Sequence, residues 1–216
     1  MPFRFGIVTL TEAPQIFVRA RITHESGLEA WGAAAEMLVP KWFDKNPDLS
    51  NEDNFDQLRF ALAVARDLYL QADPMTAYGL MAETYQPQRE TCAEQDLNPL
   101  VAGYGPALLD RAVLDALCRM DNVSFYNAIR SNLPGIAPDS IAPDLAGFHL
   151  DGYLSALTPQ DSLHARHTVG LVDQLTASET RVDDGLPETL EEVIAAYGHR
   201  WFKIKIGGEI DADLER

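Results

Sequence analysis

The sequence predicts an α+β domain followed by the opening of a parallel α/β unit, and three observations predict it. Strand-like runs occupy residues 3–34. Between residues 54 and 120 the apolar spacing changes to that of amphipathic helices. After a proline-broken stretch come an apolar run, a helix, a second apolar run and an acidic helix start. Strands and then helices make an α+β layer, whereas helix, strand, helix is the rhythm of a parallel sheet.

Residues 3–9 and 15–22 read as the first two strands. The second sets Ile16, Val18, Ala20 and Ile22 against Phe17, Arg19, Arg21 and Thr23, the alternation of a half-buried strand. Glu25-Ser26-Gly27 turns the chain into a third strand over residues 28–34, which completes a three-stranded antiparallel meander. Asn51 or Asp53 caps a helix over residues 54–70, whose apolar face is Phe55, Leu58, Leu62, Ala65 and Tyr69. A second helix covers residues 75–93, interrupted by Pro87, and a third covers 106–120 with Leu109, Val113, Leu117 and Met120 along one side. Three helices on a small sheet account for residues 1–131.

Residues 132–166 form a connector, in which Pro134, Pro138, Pro143 and Pro159 separate short apolar groups. A two-turn helix over residues 150–157 packs Leu150, Leu154 and Leu157 together. Residues 167–216 then read as a buried strand (167–175), a helix (187–197), a second strand (201–208) and an acidic helix start (209–216). Pro187 opens the first helix and Gly198 closes it.

The second strand carries the chemistry. Successive strand residues point to opposite faces, so Lys203 and Lys205 share one face while Phe202, Ile204 and Ile206 share the other. Two ammonium groups side by side in a buried strand repel each other and lose hydration, and both effects favour the neutral amine, a base. The bland alternative is an edge strand whose lysines face water and discourage aggregation.

The text around the lysines resembles a known family. Thr189-Leu190-Glu191-Glu192-Val193-Ile194 through Tyr197-Gly198, then Trp201 to Gly208 and Asp211-Ala212-Asp213-Leu214-Glu215-Arg216, is similar to the first helix, second strand and second helix of the barrel in the enolase superfamily, mandelate racemase and muconate lactonizing branch. Gly27-Leu28-Glu29-Ala30-Trp31-Gly32 resembles the hairpin of that family's amino-terminal capping domain, and residues 109–117 its closing helix. The resemblance implies a capping domain followed by the first two strands of a (β/α) barrel. It implies that Lys205 abstracts the proton next to a carboxylate and that Lys203 tunes its basicity. It also implies that loops at residues 9–14 and 36–43, with Thr11, Glu12, Lys41 and Trp42, cover the barrel mouth and choose the substrate; the alternative for the aromatics there is that they only seal the interface between domains.

Family members hold Mg2+ on carboxylates of the next three strands, and a whole barrel needs about 250 residues beside roughly a hundred for the capping domain. The expectation is therefore the front half of such an enzyme, a truncated product, a fragment or one piece of a split gene. The complete parent would be a racemase, epimerase, dehydratase or cycloisomerase using Mg2+ and a small carboxylate substrate. The 216-residue chain alone is expected to hold no cofactor or metal. A second reading makes it an inactive domain that associates with itself, through the open barrel edge, or with a partner or its missing half.

Composition excludes other classes. A net charge of -16, from 17 basic and 33 acidic residues, argues against nucleic acid. No run of about eighteen apolar residues and no basic cluster suggests a membrane. With Cys92 and Cys118 alone there is no disulfide scaffold, and a cytoplasmic protein is expected. His164-x-x-His167 lacks a nearby third metal ligand. Gly207-Gly208 reads as a tight turn more readily than a phosphate cradle, and Asp183-Asp184 and Glu191-Glu192 as solvated charges.

Overall fold

The computed structural model describes residues 3–5, 8–171, 173–177, 181 and 184–215. The chain is a mixed α+β protein of two compact units, one of residues 13–158 and one of residues 1–12 with 159–216.

In the unit of residues 13–158, strands β3 (Gln15–Thr23) and β4 (Glu29–Met37) form an antiparallel hairpin closed where the sequence places its turn. The even residues of β3 face inward and the odd ones face water, as the alternation predicts. Helix α1 (Asn51–Gln71) starts three residues before the expected helix, because Ser50 is its cap: the Ser50 hydroxyl accepts from the Asp53 amide while the Asp53 carboxylate accepts from the Ser50 amide. Helix α2 (Ala77–Ala93) runs through Pro87 rather than breaking there. Its next residue, buried Gln88, donates from Nε2 to the carbonyls of Ala61 and Ala102, which ties the proline-bearing turn to α1 and to the short helix α3 (Pro99–Ala102).

Helix α4 (Tyr104–Met120) lies against the hairpin and α1. Its buried line is Gly105, Leu108, Ala112 and Ala116, one residue off the expected Leu109–Val113–Leu117 line, whose members are half-buried. Small residues let backbones approach closely, so they and not the largest side chains mark the centre of this face. The core gathers Leu38, Phe55, Leu58, Ala61, Cys92, Val101, Tyr104 and Leu108. Beyond α4 come α5 (Phe125–Arg130) and, inside the proline-rich stretch, α6 (Leu150–Ala156), which buries Leu154 as expected.

The expected three-stranded meander is corrected. The run at residues 3–9 is instead a hairpin of β1 (Phe3–Phe5) and β2 (Val8–Leu10), with Phe3 opposite Leu10, and the sheets among the described residues are two-stranded. A glycine in the run, Gly6, weakens one continuous strand; Gly6 and Ile7 lie outside the described residues, as do Val172, Asp183 and Arg216.

In the other unit, β5 (Arg166–Val169) and β6 (Trp201–Ile204) pair in parallel and are joined through α7 (Leu190–Tyr197). The expected strand at 167–175 ends at Val169, where the Asp173 carboxylate takes the Gly170 amide at 2.6 Å and turns the chain. Thr189 caps α7 and Gly198 ends it in the left-handed conformation. Helix α8 (Ile210–Glu215) follows β6.

Candidate functional site

Strand β6 sets the two lysines. Its register on β5 puts Lys203 beside Thr168 and Ile204 beside Val169, and the Lys205 amide donates to the Val169 carbonyl at 2.9 Å, so the ladder runs one residue past the strand. Parallel neighbours share a face, which gives one face Arg166, Thr168, Trp201 and Lys203 and the other His167, Val169, Phe202 and Ile204. The Arg166 guanidinium donates to the Thr168 hydroxyl at 3.3 Å, consistent with that division. Lys205, two residues beyond Lys203, continues the first face.

The lysine strand is not the buried strand the sequence suggests, since every residue from 201 to 210 is exposed. The cause is architectural: among the described residues β6 pairs with β5 alone, and no third strand or second helix layer covers the lysine face. The arrangement is an exposed cationic stripe.

The Gly207-Gly208 turn cradles an anion of its own. Both amides donate to the Asp213 carboxylate, at 2.7 and 2.8 Å, and Gly208 has a φ of +102° that favours glycine. The position a phosphate would take is filled by a carboxylate from α8.

His164 and His167 do not converge. His164 stacks on Trp201 at 4.9 Å between centroids, while His167 faces His199 at 5.8 Å on the opposite side of the strand pair. Glu192 is a helix-face charge that reaches solvent and also pairs with Arg181 at 2.7 Å, while the Glu188 amide donates to it. The Arg181 guanidinium, first, and backbone hydrogen bonds at Glu188 and Thr189 hold its carboxyl down at about 2. Among the described residues no three His, Cys, Asp or Glu side chains converge as a metal site.

The loop residues fall in different units. Thr11 and Glu12 are exposed and follow β2. Lys41 and Trp42 follow β4, and Lys41 has a φ of +60°. Its amide donates to Asn54 Oδ1 at 3.0 Å, and its ammonium donates to the carbonyls of Asn46 and Leu49. That ammonium holds its own loop together. Phe43 packs edge-on against Tyr104 at 5.3 Å and seals the core, whereas Trp42 is half exposed.

A cleft of about 720 Å³ along α4 is lined by Arg111, Asp115, Cys118, Arg119 and Phe125, and sequence reasoning did not single it out. Its cations are engaged, Arg111 with Glu36 at 3.0 Å and Arg119 with Asp115 at 2.9 Å. Burial pushes the Cys118 thiol up, the opposite of what a nucleophile needs.

Comparison with family models, with curated proteins and with solved structures finds no match to the chain.

Proposed function

We propose that the chain is the amino-terminal part of an enzyme of the enolase superfamily, mandelate racemase and muconate lactonizing branch, whose complete form removes the proton α to a carboxylate. The observation that carries this reading is the strand–helix–strand unit with parallel β5 and β6, which sets Lys203 and Lys205 two apart at the carboxyl end of β6. Catalytic groups of parallel α/β folds gather at the carboxyl ends of strands. In this reading Lys205 takes the proton and Lys203 tunes it. In the parent enzyme the ligands of Mg2+ would come from further strands.

The test uses the polypeptide encoded by the complete reading frame, in deuterium oxide with Mg2+ and a panel of 2-hydroxy and N-acylamino carboxylates. Deuterium entering at the α carbon, and lost in Lys205→Met, is the expected result. No incorporation with any substrate, or incorporation that survives Lys205→Met, overturns the proposal.

A second reading has its own observation. Leu163, Ile204, Ile206, Ile210 and Leu214 are each more than three-fifths exposed, an apolar surface that fits a domain acting through association rather than catalysis.

A further inference from the structure

The outer edge of β3 is an open hydrogen-bonding template beside an apolar crevice. The His24 amide donates to Leu28 and the Leu38 amide to Pro14, which places the even residues of β3 in the hydrogen-bonded pairs with β4. Gln15, Phe17, Arg19, Arg21 and Thr23 therefore turn their amides and carbonyls outward. On β4 the corresponding outward amides of Ala33 and Met37 are taken by the carboxylates of Asp115, at 2.9 Å, and Glu36, at 3.2 Å. On β3 the outward amides have no hydrogen-bond partner among the described residues.

A crevice of about 290 Å³ opens along the same edge, its wall made of apolar Ile16, Val18, Leu62, Ala63 and Leu109 and of the arginines Arg19, Arg59 and Arg66. An added strand would hydrogen-bond to the outward groups and drop every second side chain into this crevice. Charge then selects the strand. Arg59 is paired with Glu52 and Asp56, Arg66 with Asp67, and Arg21 with Glu29. Arg19 stacks over Trp31 at 4.4 Å and meets no carboxylate among the described residues. Among the described residues it is a cation in the middle of the template without a counter-charge.

We infer that the β3 edge binds an extended strand of a partner protein in which apolar residues alternate with acidic ones, a carboxylate lying opposite Arg19. A second copy of the chain fits less well, because antiparallel pairing of β3 with itself about its centre sets Arg19 against Arg19.

The probe is a blocked nine-residue peptide alternating valine and glutamate, titrated into the full chain while amide hydrogen exchange at Phe17, Arg19 and Arg21 is followed. Exchange slowing at those three amides is expected. Binding should weaken at least tenfold when lysine replaces glutamate in the peptide and vanish when the peptide's β3-facing amides are N-methylated. Phe17→Pro removes an outward donor without touching the ladder to β4, and should abolish binding. Arg19→Glu should reverse the preference toward the lysine peptide, which keeps the test decisive if the proline variant does not fold. Equal binding of both peptides, no binding of either, or protection of the three amides before peptide is added overturns the inference. In the last case sedimentation tells a second copy from coverage within the chain.

Discussion

At Gly32 the backbone of β4 touches the backbone of α4. A Cβ built there would lie 2.1 Å from the Ala112 carbonyl oxygen and 2.2 Å from the Ala116 nitrogen, and one built at Gly105 would lie 2.4 Å from the Ala61 carbonyl oxygen. None of those atoms can rotate away. Gly32→Ala and Gly105→Ala are each expected to destabilise the fold at the upper end of the range of about 1–3 kcal/mol typical of overpacking, read as a fall in the urea midpoint. A second residue-scale effect depends on pH. Tyr69 donates to Asp110 at 2.5 Å between α1 and α4. Burial raises the Asp110 carboxyl above its ordinary value of 3.8, against the opposing hydrogen bond. A carboxyl raised on folding contributes stability that is complete below the ordinary value and is lost as pH rises through the raised one. The unsubstituted chain should therefore lose stability relative to Asp110→Asn as pH climbs from about 4 toward neutrality, measured by urea unfolding of both across that window. A parallel pair of curves would mean the carboxyl is not perturbed.

At the scale of elements, caps decide where helices begin. Ser50→Ala removes the acceptor for the Asp53 amide and should cost about 1 kcal/mol, read from the urea midpoint with the loss of helical ellipticity. The Gly207-Gly208 turn makes a sharper test, since Asp213 alone gathers both glycine amides: Asp213→Ala should speed amide exchange at Gly207 and Gly208 while leaving the core of residues 13–158 unchanged. These same elements show what was legible in the sequence. Alternation in β3, the Gly198 stop and the helix over Leu150 could be read from spacing alone, because each is set by residues within a few positions. Ser50, Asn51 and Asp53 are all good caps, and only the reciprocal bond between Ser50 and Asp53 chooses among them. Apolar size alone points one residue away from the packed face of α4, because the closest packing uses Gly105, Ala112 and Ala116. The lysine spacing was legible too. Its burial was not, since burial depends on strands and layers that no local pattern supplies.

At the scale of the whole molecule two forces oppose each other. Leu163, Ile204, Ile206, Ile210 and Leu214 are exposed by 88, 67, 62, 75 and 80%, and covering such surface gains roughly 25 cal/mol per Å2 of apolar area. The net charge of -16 repels one copy from another over about one Debye length. Apolar attraction acts at contact and is strengthened little by dilution of ions, while the repulsion is screened by salt, so association should rise with both protein concentration and sodium chloride. Sedimentation velocity at low and high salt measures this. Ile206→Glu with Leu214→Glu should suppress the association without moving the unfolding transition of residues 13–158, because both positions lie in the other unit. A chain that stays monomeric at every salt concentration would show the exposed apolar surface to be too divided to act as one patch. Association that instead falls with salt would place its origin in charge pairing, with Lys203, Lys205 and Arg166 meeting the acidic surface of another copy.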